Sequence, residues 1–348
     1  MTNREKFFRW YTANQDILKG FKQTEVADLF NRDNPGLLSR KTGCEYLRDI
    51  VSGKTTDLTF SKLSVQTFTS EIKTPVKEVY TPFARPTEKP FKVLIFSDTH
   101  GWLADLKALR CINKVLQRNK FDEVCINGDL VDLPYLSKHT QRLFPDGILK
   151  EYTEIGEFEY TRDQILKPLR NSTDAKIRVR LGNHDERVTK PNFLSDKQLQ
   201  RLAVLYKHYQ TTKYDEMLGL SSEDGYIYDP SDVFTYFDKF DVVHGLSLTK
   251  NAPEKNIQEY MSSGTSGHTH RLHAYPKTNK KNPYVWLESG CTRLTEQVEY
   301  LPTGKIADWQ QGFVCVTFVR RDGDMYFHWE CVQIINGHCM YNGEFFSG

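Results

Sequence analysis

The sequence predicts an α/β chain of stacked mixed sheets with helices outside, preceded by a small helical region. Three observations carry this. From residue 91 onward, short apolar runs alternate with stretches of helical spacing. The last part of the chain then becomes a run of strands, while residues 1–60 show helical spacing throughout.

The elements follow in chain order. REKFFRWYTAN places Phe7, Phe8 and Tyr11 on one side of a helix. KQTEVADLFNRDN carries Val26, Leu29 and Phe30, with Thr24 as an expected N-cap. After the turn NRDNPG, SRKTGCEYLRDIVSGK has Ser39 as an expected cap and a stripe of Tyr46, Leu47, Ile50 and Val51. Three short helices with a turn between the last two suit a helix-turn-helix, with Arg40, Lys41 and Arg48 on or near the recognition helix. They suit equally a small bundle that docks on the rest of the chain or on a partner. Residues 1–60 hold ten Lys/Arg and eight Asp/Glu, a weakly basic balance. Residues 61–90 contain four prolines within EIKTPVKEVYTPFARPTEKP and read as an extended linker.

Residues 91–348 form the α/β domain. FKVLIFSD reads as a buried strand, and Leu106, Leu109, Ile112 and Leu116 mark a helix. DEVCING is a second strand, KIRVRLG a third and FDVVHG a fourth. Long helices are expected around 146–170 and 195–210, with cap patterns at Thr161–Gln164 and Ser195–Gln198. YVWLES, GFVCVTFV and MYFHWECVQI close the chain as strands.

Composition narrows the function classes. With 348 residues, 39% apolar and 26% charged, the chain is globular, and a net charge of +2 excludes a histone-like polycation. No apolar run approaches the roughly 18 residues a membrane span needs. The start, MTNREKFFRWYTANQD, lacks the apolar core of a secretory signal. Seven cysteines without C-x-x-C spacing argue against a disulfide framework and for a reducing cytoplasm.

The chemistry gathers at strand ends. The first strand ends in Asp98-Thr99-His100, the second in Gly128-Asp129-Leu130-Val131-Asp132, the third in Gly182-Asn183-His184-Asp185 and the fourth in His244-Gly245; a fifth segment reads Gly267-His268-Thr269-His270. Sites in open α/β sheets form beyond the carboxyl ends of strands, so these segments can converge. Five of the ten histidines lie in them. Carboxylate and imidazole with one amide oxygen suit divalent Mn, Fe, Zn, Ni or Co. Two ions about 3.5–4 Å apart need a carboxylate between them, and Asp129 is the natural bridge.

These motifs, in this order over about 170 residues, resemble the calcineurin-like metallophosphoesterases. The resemblance covers residues 91–335 and implies a four-layered α/β sandwich. It implies that Asp98, His100 and His270 bind one metal and Asn183, His244 and His268 a second, with Asp129 shared. Two divalent ions, manganese first, are the implied cofactor. The metals then furnish hydroxide at neutral pH and neutralise the phosphate. His184 stands beside them as general acid or as a contact to a phosphate oxygen, oriented by Asp132. Arg187 is a candidate clamp on a non-bridging oxygen. Asp185 fits either a partner of a metal-binding histidine or a loop cap. Asn127 fits either a partner of Asp129 or a turn. Arg271 and His273 are weaker candidates for the substrate face, as is His139 for the cleft.

Protein Ser/Thr phosphatases of the family carry Arg-Gly after G-D-x-x-D and then G-N-H-E, whereas this chain has Leu133-Pro134 and Gly182-Asn183-His184-Asp185. Repair nucleases of the family share G-N-H-D and G-H-x-H but usually have His in place of Asp132. A helix-turn-helix would hold the enzyme on DNA, with Arg40 and Lys41 as phosphate contacts. The expected function is therefore a nuclease acting on DNA. The alternatives are a phosphomonoesterase or small-nucleotide phosphodiesterase whose N-terminal helices serve assembly, and a DNA-binding regulator whose esterase domain senses a ligand.

Overall fold

The computed structural model describes residues 3–14, 18, 22–37, 39–51, 89–137, 152–245, 247–280, 282–295 and 307–348. The chain divides into two compact units, Met1–Glu78 and Val79–Gly348. Apart from residues 89 and 90, the stretch read as a linker lies outside the described residues, as does His139.

The first unit contains helices α1 (Asn3–Ala13), α2 (Gln23–Asp33) and α3 (Arg40–Val51). Phe7, Leu18, Val26, Phe30 and Leu47 are buried together. Phe7 meets Phe30 edge to face at 4.7 Å, a geometry that favours aromatic pairs. Ser39 caps α3, its hydroxyl accepting the Thr42 amide at 3.1 Å. Thr24 does not cap α2. The helix starts two residues earlier, at Gln23, Lys22 holds the cap position, and Glu25 reaches back to the Lys22 amide at 2.7 Å.

The second unit is layered. Strands β1 (Phe91–Phe96), β2 (Glu123–Asn127), β3 (Lys176–Arg180) and β4 (Tyr226–Asp229) run parallel, and β10 (Gly312–Arg321) and β11 (Asp324–Gln333) extend this sheet antiparallel beyond β1. The second sheet has the order β5-β6-β7-β9-β8, with β5 at Val233–Tyr236, β6 at Phe240–Val243, β7 at Ser263–Ser266, β8 at Leu272–Thr278 and β9 at Pro283–Ser289. The pleat sorts β1 between two cores. Leu94 and Phe96 pack with helix α4 (Leu106–Arg118). Val93 and Ile95 pack with Phe240, Val242 and Leu287 of the second sheet.

Beyond the second sheet, Trp286 packs with Ile257 of the helix Ala252–Tyr260. The result is four layers: helix, sheet, sheet, helix. A closing hairpin, β12 (His338–Tyr341) with β13 (Glu344–Ser347), sets Cys339 and Phe346 in the α4 core.

Helix α5 starts at Glu154–Tyr160, passes through a π-helical segment Thr161–Leu166 and ends at Lys167–Arg170. Thr161 therefore sits mid-helix, and the cap is Thr153, whose hydroxyl accepts the Gly156 amide at 2.9 Å. The helix Asp196–Tyr209 does carry the expected Ser195–Gln198 capping box. No helix among the described residues is long and apolar enough to cross a membrane. All seven cysteines are free.

Candidate metal centre

The carboxyl ends of β1, β2, β3, β6 and β7 bring the five polar segments to one place. Asp98, His100 and His270 offer donor atoms within 4.8 Å of one another, and so do Asp129, His244 and His268. His270 Nε2 lies 3.1 Å from Asp98 Oδ1 and 3.1 Å from His100 Nε2. His244 Nε2 lies 3.2 Å from Asp129 Oδ2, and that same oxygen is 3.9 Å from His100 Nε2. Asp129 thus stands between the two groups. The amide of His268 donates to Asp98 Oδ1 at 3.1 Å, and the amide of His184 donates to Asp129 Oδ1 at 2.9 Å. Asn183 shares that turn.

The backbone here is unusual. Asp98 (φ 55°), His100 (56°), Asp129 (51°), His268 (65°) and His270 (58°) all adopt left-handed conformations. Such conformations are uncommon and costly outside glycine and cluster at functional sites. They turn consecutive side chains of each short segment toward one point. Gly182 completes the approach, because a Cβ there would collide with the Asp129 carboxylate and its backbone nitrogen.

The ring orientations fit divalent cations. His100 Nδ1 donates to Asp132 Oδ1 at 2.8 Å, and His244 Nδ1 donates to the Asn127 carbonyl at 2.8 Å. With Nδ1 carrying the proton, each neutral ring presents a bare Nε2 lone pair, the arrangement a metal-binding histidine needs. His100 Nε2 faces His270 Nε2 at 3.1 Å, close enough for one proton or cation to serve both rings. Asn183 Oδ1 is buried and accepts no hydrogen bond, as expected of an oxygen reserved for an ion. Burial pushes Asp98 toward neutrality, but His270 beside it outweighs this and holds its pKa at about 2. Burial and His244 hold His268 at about 4, the neutral form that binds metal.

Asp132, His100 and His184 form a third group of donors. His184 Nδ1 donates to the Asp132 carbonyl at 2.8 Å and lies 3.2 Å from Asp132 Oδ1. Its Nε2 faces Asp129 Oδ2 at 4.0 Å. Burial opposes protonation of His184, yet the charges of Asp129 and Asp132 overcome it and raise its pKa.

Residues 91–315 match the family model of the calcineurin-like phosphoesterases. The chain belongs to that family. Two relatives, each called Gene 54 protein, come from Mycobacterium phages L5 and D29. The first is 27% identical over 279 residues, spanning 73% of this chain and 97% of the relative. The second is 26% identical over 268 residues, with the same coverage of both. Among solved structures, Vacuolar Protein Sorting 29 from Cryptosporidium parvum is 14% identical, covers 70% of this chain and 99% of its own, and has a TM-score of 0.34.

Metal-dependent phosphoester hydrolysis with two divalent ions is the chemistry of this phosphoesterase family, and the two donor groups are its candidate centre here. Arg187 donates from Nη1 to the carbonyl oxygens of Asp132 at 2.7 Å and Leu133 at 3.3 Å, so it braces the second motif. Arg271 pairs with buried Glu288 at 3.3 Å, and His273 lies 3.8 Å from the same carboxylate. Asn127 binds the Val243 carbonyl through Nδ2 at 2.7 Å, which ties the ends of β2 and β6 together. Asp185 accepts the amides of Gly182 at 2.8 Å, Val131 at 3.2 Å and Leu130 at 3.3 Å, together with the Tyr214 hydroxyl at 2.5 Å. That is a loop-bracing role. Lys41 and Arg48 are exposed on α3, which Arg40 opens.

Sequence reasoning missed Glu157, Tyr152 and Trp309. Trp309 packs on the His270 ring at 4.2 Å between centroids. Each of the three follows or lies within a stretch without a motif, and only tertiary contact brings it to the site.

Proposed function

We propose that this chain hydrolyses phosphodiester bonds of nucleic acid, DNA foremost, with two divalent ions of which manganese is the preferred pair. The observation that carries the hydrolytic part is the pairing of Asp129 with both donor groups, beside a histidine whose outer nitrogen faces them. When bound, the ions supply Lewis acidity and a nucleophilic hydroxide. Asp98, His100 and His270 would hold one ion, and Asn183, His244 and His268 the other, with Asp129 between.

His184 carries the proton step. Its Nδ1 hydrogen is committed to Asp132, so only the protonated ring bears a hydrogen on Nε2. That proton passes to the leaving oxygen, which an alkoxide leaving group of a diester requires more than an acidic phenol does. The DNA part rests on the first unit. Its three helices build their own small core and leave Lys41 and Arg48 exposed on α3. Phosphate contacts from Arg40 and Lys41 would raise the local concentration of substrate.

The test offers a phosphodiester, a phosphomonoester, and single- and double-stranded DNA to the full chain with Mn²⁺, with and without chelator. Diester cleavage that chelator abolishes is expected, and a clear monoester preference overturns the nuclease reading. DNA affinity of the full chain is then measured against salt. Each lost phosphate contact in Arg40→Ala or Lys41→Ala should shrink the slope of log K against log salt by about one. Unchanged slopes in both variants would remove the DNA role of these helices.

A further inference from the structure

We propose that Glu157 is a positioning residue that aims Asp132 at its two histidines by holding the backbone beneath it. This rests on the roles proposed for Asp132 and His184, but the geometry is independent of the substrate. Glu157 sits on α5, far in sequence from every motif, and is fully buried. Its Oε1 accepts the Asp132 amide at 2.6 Å and its Oε2 accepts the Leu133 amide at 3.0 Å. The Tyr152 hydroxyl donates to the same Oε2. The carboxylate also lies against Gly101, next to His100, where any Cβ would collide with Oε1.

The consequence is a continuous clamp. Four successive amides, from Leu130 to Leu133, all end on buried carboxylates: the first two on Asp185 and the last two on Glu157. Leu133 is left-handed at φ 49°, a conformation that persists only where its surroundings impose it. A buried amide that loses its acceptor seeks another, and the peptide rotates to find one. Rotation at Asp132 would move its Oδ1 away from His100 Nδ1 and its carbonyl away from His184 Nδ1. Among the described residues, the hydrogen bonds of Glu157 run to Asp132, Leu133 and Tyr152. It acts through Asp132.

A double-mutant cycle separates this from ordinary structural support. Glu157→Gln keeps one acceptor but turns an amide donor toward the other backbone N–H. It should lower kcat about tenfold or more at saturating Mn²⁺ while KM stays within about twofold, and it should weaken Mn²⁺ binding in the same direction as Asp132→Asn does. In an Asp132→Asn background the same change should cost less than about twofold, because the residue it positions is already gone. An equal loss in both backgrounds, or an unchanged kcat, overturns the proposal. Should Glu157→Gln fail to fold, Tyr152→Phe takes its place in the cycle, removing one donor to the carboxylate without opening a large cavity. Amide hydrogen exchange of the chelated chain provides a readout without turnover. Exchange at Asp132 and Leu133 should be slow in the parent and at least about tenfold faster in the variant. Equal exchange rates overturn the clamp even if no phosphoester proves to be a substrate, so failure here is distinct from failure of the hydrolase reading.

Discussion

The carboxylate of Asp132 lies 2.8 Å from Nδ1 of His100, closer than the 3.2 Å that separates it from His184. The motif resemblance ties Asp132 to His184. The structure gives it a second duty, that of fixing the tautomer of a candidate metal-binding ring.

Asp132→Asn should therefore affect two measurements at once. Partners of metal-binding histidines typically matter 10–100-fold in affinity. Titration calorimetry with Mn²⁺ should show weaker binding of about that size, alongside reduced turnover. Metal affinity equal to the parent's would mean that the His100 contact has no functional weight.

His184→Ala should behave differently. Among the described residues, His184 joins no donor group that lacks Asp132. Turnover should fall by roughly 10²–10⁴-fold, the range of a lost general acid. Elemental analysis should still find both ions, and loss of one would show that His184 binds metal itself.

Gly182→Ala tests the close approach at the second motif. The added methyl meets the Asp129 carboxylate and backbone nitrogen, neither of which is the free end of a flexible chain. Overpacking of this kind costs about 1–3 kcal/mol. Thermal denaturation should show the loss, and metal content should fall with it. A variant with parental stability and two bound ions would refute the account of this turn.

The pH dependence of stability should differ between chelated and loaded chains. Without metal, burial disfavours protonation of His244, but the Asp129 carboxylate at 3.2 Å outweighs it and lifts the pKa to about 10 from 6.5. The folded state holds this proton more tightly than the unfolded one. Its contribution is thus complete below pH 6.5 and disappears as pH rises through about 10. A divalent ion held by His244 would take the place of this proton, so the Mn²⁺-loaded chain should lack this slope and bind its metal more tightly as pH rises. Denaturant titrations at several pH values compare the two forms, and parallel curves would contradict the assignment of Nε2.

The parts legible in the sequence were those with local signals. β1 and β6 are mostly apolar runs, β2 is apolar at its centre, and β3 alternates Ile177 and Val179 with basic residues; each leads into a segment with its own motif. β7 escaped notice because Ser263–Ser266 has no apolar side chain, though it is fully buried and leads directly into Gly267 and His268. β8 alternates between half-buried and exposed residues and lacks an apolar run. Asp185 could not be placed by pattern, since its role depends on amides 54 and 55 positions away. Glu157 and Tyr152 carry no local mark at all.

The left-handed residues of the metal centre also limit how far this protein can be stabilised. Glycine at Asp98 or Asp129 would relax the main chain and remove a candidate metal-binding oxygen in the same step. Screens for heat-resistant variants should therefore enrich changes distant from these turns, while substitutions at them yield sturdier but inert molecules.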